Sequence, residues 1–255
     1  MQSPMEQFTI RPLLFGNRTL HAQVGHHEFI FTNQSLWMCI VVGVASLFLT
    51  LAVARPQLVP GRMQSVAELC YEFVANMIRQ AAGEDGMIFF PFVFTIFVFV
   101  LFSNFFGLVP GSFTVTSQIA VTFALACLVI LTVIVTGFVV HGLGFLKLFV
   151  PDAPWYLLIL LVPIELISFF TRPISLSVRL FANMLAGHTM LKVFASFVIA
   201  LGAAGGVFTA ISIAPMFLIV AITALELLVA FLQAYVFAIL TCIYLNEALH
   251  LHDSH

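Results

Sequence analysis

Residues 155 to 201 read WYLLILLVPIELISFFTRPISLSVRLFANMLAGHTMLKVFASFVIAL, an apolar stretch that keeps a helical pattern for about 45 positions. At about 1.5 Å per residue this makes nearly 70 Å of helix, over twice the ~30 Å hydrocarbon thickness of a bilayer. One straight rod of that length cannot stand upright in a membrane. Either it breaks near Pro163 or Pro173, or it tilts far beyond the usual ~20° and runs almost along the membrane. Gly202 to Gly206 reads as a turn, and residues 207–249 as a second overlong helix. The two are expected to form a steeply tilted antiparallel hairpin.

Composition supports that reading, since 62% of the residues are hydrophobic and 8% charged, against roughly 45–50% and 25% in soluble domains. Long continuous apolar runs, rather than a two-residue alternation, predict a helical bundle and not a barrel. The fold class is an all-α integral membrane protein with five crossings and one interfacial helix. A net charge of −2 offers no basic face to nucleic acid. Cys39, Cys70, Cys127 and Cys242 lack metal-ligand spacing and are expected to be small buried apolar side chains, so no metal or cofactor is expected.

Outward from the long stretch, residues 1–34 form a polar segment without the pattern of a signal peptide, and residues 35–255 form a single membrane domain. Its spans are expected at about 35–54, 87–109, 117–140, 155–201 and 207–249. Between the first two, Met63, Val66, Ala67, Cys70, Phe73, Val74, Met77, Ile78 and Ala81 recur at helical spacing opposite Gln64, Glu68, Glu72 and Arg79. That predicts an amphipathic helix over about 62–82, lying in the interface. The phenylalanine-rich second span reads as lipid-facing or packing surface. Arg55, Arg62, Arg79 and Lys147 fall on one side and Arg11, Arg18 and Lys192 on the other, which puts the N-terminus outside and the C-terminus inside.

Within the spans, Glu165, Arg172 and Arg179 are seven residues apart and share one helix face, since seven residues fall only about 20° short of two turns. Asn183 continues the face, and Ser175 is a small neighbour on it. On the last helix Glu226 and Gln233 repeat the seven-residue step. A guanidinium does not shed its proton, so Arg179 at bilayer depth needs a function or a partner. In order along the helices, His188 and Glu226 fall on the outer side of Arg179 and Glu165 on the inner. Titratable groups on both sides of a permanent cation suit two half-paths for protons. Plainer readings stand beside this one: a structural ion pair of Glu165 and Arg172 bridged to another helix, a hydrogen-bonded core histidine at His188, and a lock between Arg179 and Glu226. His141, His250, His252 and His255 read as solvated loop residues.

RPISLSVRLFANMLAGH (residues 172–188) and ALELLVAFLQAYVFAILTCIYL (residues 224–245) resemble the subunit a family of F-type ATP synthases. EQFTI near the start, FTN before the first span, FSNFFGLVPG (residues 102–111) and FTVTSQ extend the resemblance over nearly the whole chain. It implies a stator subunit facing a rotating c-ring, with peripheral-stalk b-type subunits, the rest of the F0F1 complex and membrane lipids as partners. Arg179 matches the family's essential arginine, Asn183 and Gln233 match polar residues near it, and Glu165 matches a carboxylate of the inner half-channel. His188 and Glu226 match the titratable pair of the outer half-channel. The chain would carry no catalytic site of its own, and it would reside in an energy-transducing membrane, a bacterial inner membrane or a mitochondrial one.

Two rivals make distinct demands. A secondary proton-coupled transporter calls for inverted repeats, and no internal duplication is visible. A haem or quinone subunit calls for paired intramembrane histidines, whereas His188 alone lies deep in a span.

Overall fold

A computed structural model describes residues 14–15, 18–19, 21–24, 27–30, 32–54, 59–109, 112–142, 144–145, 155–206 and 211–249. The EQFTI stretch, Arg11, Arg55, Pro110, Gly111, Lys147 and the tail from His250 to His255 lie outside them. Two short antiparallel hairpins come first, β1 (Leu14–Phe15) with β2 (Arg18–Thr19) and β3 (His21–Val24) with β4 (His27–Ile30). From there on the described chain is helical, and five helices are long and apolar enough to cross a membrane.

Contacts group the chain into two compact units that share several helices. The first comprises Met1–Phe48, Phe99–Gln118 and Leu180–Gln233; the second comprises Leu49–Val98, Ile119–Arg179 and Ala234–His255.

Helix α1 (Asn33–Val53) opens on a side-chain cap, where the Ser35 amide donates to the Thr32 hydroxyl at 3.4 Å. Val41, Ala45 and Ala52 are its buried positions, while Val42, Val44, Leu47, Leu51 and Val53 are exposed, as a span bordered by lipid requires. Cys39 is on that outward face, and of the four cysteines only Cys242 is buried. The expectation of four buried thiols is therefore corrected, because a lipid-facing position suits a small apolar side chain equally well.

Helix α2 (Arg62–Ala82) matches the expected interfacial segment. It buries Ala67, Val74, Ala75, Met77, Ile78 and Ala82 on one face, while Gln64 donates to Glu68 at 2.7 Å on the other. Met63 and Val66 stay exposed and leave an apolar edge free for a membrane surface. Gly83, at φ 68, ends the helix in a conformation open mainly to glycine. A 3-10 turn (Asp85–Phe89) leads into α3 (Phe90–Gly107). Within the second unit the phenylalanines of α3 meet the rings of α2: Tyr71 lies 4.6 Å from Phe90 and Phe73 5.7 Å from Phe97. Val93, Phe97, Val100 and Asn104 are all at 0–1% exposure and mark one helical stripe. The phenylalanine-rich span is therefore packing surface along this stripe.

A second 3-10 turn (Val115–Ser117) precedes α4 (Ile119–His141), which buries Thr122, Ala126, Val129, Val133 and Gly137 at helical spacing. Helix α5 (Trp155–Ala204) runs 50 residues with Pro163 and Pro173 inside it. Neither proline ends it, so of the two alternatives the unbroken helix holds, and its length requires an oblique passage. Gly205 and Gly206, at φ 71 and 60, make the turn that follows. Helix α6 (Ile213–Leu249) runs to the expected end at residue 249, and residues 207–210, where the expected helix begins, lie outside the described set. Its buried stripe is confined to its later part, where Ala230, Ala234, Ala238 and Ala248 let neighbouring helices approach closely.

In the second unit the Phe145 ring lies where a side chain on Gly137 would go. Gly137→Leu is expected to lower stability by about 1–3 kcal/mol through overpacking. Thermal denaturation of the detergent-solubilised protein measures it, and an unchanged midpoint would show that the ring swings aside.

Candidate functional site

In the first unit the polar side chains gather where the end of α3, the loop after it, α5 and α6 come together. Asn104, at 0% exposure, donates to the backbone carbonyl of Ala230 on α6 at 3.1 Å. Its own carbonyl accepts from Thr116 at 2.9 Å. Further along the loop that follows α3, Thr114, Thr116 and Ser117 are all buried rather than solvated. Ser117 returns a hydrogen bond to the Thr114 carbonyl at 2.6 Å, and Ser112 donates to the Val109 carbonyl at 2.8 Å. Gly107 allows this folding-in: a Cβ there would come within 2.8 Å of Thr114 and 3.2 Å of Met184.

His188 is half-buried, and its Nε2 lies 3.3 Å from the Thr114 hydroxyl. Glu226 reaches α5 at the residue next to it. Its carboxylate rests on the bare backbone of Gly187, where any Cβ would overlap Oε1. The Glu226 Oε2 is buried without a hydrogen-bond partner among the described residues, as is the Ser103 hydroxyl. A buried carboxyl oxygen left unpaired is costly, so this end of the site has capacity for a proton or a water. Asn183 and Gln233 are half-buried and form no side-chain hydrogen bond among the described residues.

The second unit holds the remaining charged positions. Glu165 is half-buried and makes no ion pair among the described residues. Arg172 does not pair with Glu165; its Nη1 donates to the Glu247 carboxylate on α6, and its guanidinium lies 5.2 Å from the centre of the Tyr244 ring. Helix geometry explains the choice of partner, since side chains seven residues apart are two turns, about 10 Å, distant and a neighbouring helix is closer. Arg179 and Ser175 are exposed on α5, and Arg179 takes part in no hydrogen bond or ion pair among the described residues. Tyr244 lies within electrostatic reach of both arginines. His141, expected as a solvated loop residue, is instead the last residue of α4, and its Nε2–H donates to the Leu249 carbonyl at 3.0 Å. It satisfies one of the free carbonyls at the end of α6.

Sequence reasoning left Asn104, Thr114, Thr116, Tyr244 and Glu247 unassigned. A signal existed for Asn104, an amide on the apolar stripe of α3, whereas the two threonines look like ordinary loop residues until the loop is seen folded in. Glu247 sits close to the polar tail, where a carboxylate is unremarkable. Among the described residues no cluster of three or more His, Cys, Asp or Glu is placed to hold a metal ion.

Residues 35–246 match the family model described as ATP synthase A chain. A protein named ATP synthase subunit a from Mesorhizobium japonicum is 60% identical over 248 residues, covering 97% of this chain and 96% of its own length. Proteins of the same name from a Chelativorans strain and from Agrobacterium fabrum are 60% and 57% identical, each aligned over 97% of both chains.

Replacing Asn104 by leucine keeps the branched shape of its side chain but leaves the Thr116 hydroxyl buried without its acceptor. A loss of about 1–3 kcal/mol is expected. It is read as a lowered thermal midpoint of the solubilised protein, and wild-type stability would mean that the amide network contributes little.

Proposed function

Because the chain belongs to the family of the ATP synthase A chain, we propose that it is the proton-conducting stator subunit of the F0 sector, passing protons to and from a ring of c-subunits through two offset half-paths separated by Arg179. Membership makes it a multi-pass membrane component of the F0F1 complex. In this reading the peripheral stalk holds it still while the ring turns, ATP is made elsewhere in the complex, and its setting is a bacterial inner membrane with the N-terminus outside. The observation that carries the reading is the exposure of Arg179: a permanent charge on the outward face of a membrane helix, without an ion pair among the described residues, calls for a carboxylate from outside the chain.

The outer path uses the first unit. A proton arriving from outside meets the half-buried His188 and the Glu226 carboxyl that rests on Gly187. From there it neutralises a ring carboxylate, which then faces lipid without the cost of a buried anion. A ring site arriving at Arg179 is stabilised as the anion and gives up its proton toward Glu165. Arg179 keeps its own proton, so it does not relay protons between the two paths. Asn183 and Gln233 supply uncharged hydrogen-bonding groups, with Ser175 a small neighbour that leaves room for a helix to approach. Each elementary charge that crosses gains about 2.3 kcal/mol per 100 mV, and that work turns the ring.

Arg179→Ala is expected to abolish ATP-driven proton pumping in membrane vesicles while the complex still assembles. Intact coupling in that variant would remove the central claim. Glu226→Gln is expected to slow pumping by roughly tenfold or more, the scale of losing a positioned proton-transfer group. An unchanged rate would take Glu226 out of the outer path.

A further inference from the structure

Helix α5 carries two arginines seven residues apart, and the chain treats them in opposite ways. Arg172 is held by the Glu247 carboxylate and flanked by the Tyr244 ring, both from α6 within the second unit. Arg179, on the same face, is exposed and forms no ion pair among the described residues. Between residues 155 and 191 these are the only lysines or arginines. We propose that Glu247 is the internal counter-ion of Arg172, a positioning residue that cancels this charge so that Arg179 alone attracts the moving carboxylate.

The inference rests on the proposed role of Arg179 and adds what protects it. An uncompensated Arg172 would offer an anion a second resting place about 10 Å along the helix. A carboxylate held there would stay ionised to lower pH, because a nearby cation favours the charged form. Departure from the stator would slow, and the fastest turnover would move to more acid conditions. Pairing with Glu247 removes that trap. A guanidinium also suits the task, since it binds a carboxylate and an aromatic face together. The other titratable or charged groups near the pair are Glu165 and Arg179 on α5, Tyr244 on α6, and His141 of α4, which bonds the Leu249 carbonyl two residues beyond Glu247. None of these replaces Glu247, as no second carboxylate pairs with Arg172 among the described residues.

The test measures ATP-driven proton pumping by the whole complex in inverted membrane vesicles across a range of pH. Glu247→Gln is expected to lower pumping roughly tenfold near neutrality and to displace the optimum toward acid, the effect of leaving one partner of an ion pair uncompensated. The double variant Arg172→Gln with Glu247→Gln removes both charges and is expected to regain the rate within about twofold, with the original optimum. A merely structural contact would not move the pH optimum of the single variant and return it in the double. Unchanged pumping in Glu247→Gln overturns the proposal. So does a double variant as slow as the single, which would give Glu247 a part of its own. If Glu247→Gln fails to assemble, the double variant decides alone: assembly with pumping supports the counter-ion role and failure overturns it. Arg179→Ala run alongside separates the two levels, since its loss of pumping with an unrescued double variant would leave the stator reading standing and remove only the role of Glu247.

Discussion

A guanidinium keeps its proton at any depth, so each arginine in an apolar span must find a counter-charge or present itself to one. Much of the polar architecture answers to that requirement. Arg172 is satisfied inside the chain by Glu247 and Tyr244, at the part of α6 whose last carbonyl is bound by His141. Arg179, two turns further along α5, stays on the outward face. Under the proposed reading the first charge is cancelled inside the chain and the second is left for a passing partner.

Neutral polar groups obey the same rule in gentler form. Asn104, Thr114, Thr116 and Ser117 are buried among apolar helices, and they are tolerated because they bond to one another or to the backbone. The bond from Asn104 to the Ala230 carbonyl fastens α3 to α6 one turn after Glu226. Thr114 connects the folded-in loop to His188. Two glycines make these approaches feasible, Gly107 beneath the loop and Gly187 beneath the Glu226 carboxylate. In each case a methyl group would occupy the space that a polar neighbour now fills. Among the described residues, the buried side-chain atoms without a hydrogen-bond partner, Glu226 Oε2 and the Ser103 hydroxyl, both belong to this first unit. The proposed proton path would use that spare bonding capacity, which a fully satisfied network lacks.

The amino-acid sequence by itself determined the helical class, the interfacial segment over 62–82, the excess length of α5 and α6, and the order of Glu165, Arg172, Arg179, Asn183 and His188 along one helix. These follow from hydropathy, periodicity and spacing, which are local properties of the chain. Only the tertiary structure decided that Arg172 pairs with Glu247, that Pro163 and Pro173 leave α5 unbroken, that Thr114, Thr116 and Ser117 after α3 are buried, and that Arg179 remains exposed. Pairing and burial depend on which helix packs beside which. Glu247 lies 75 positions from its partner, and no periodicity within a single helix reports a contact of that range.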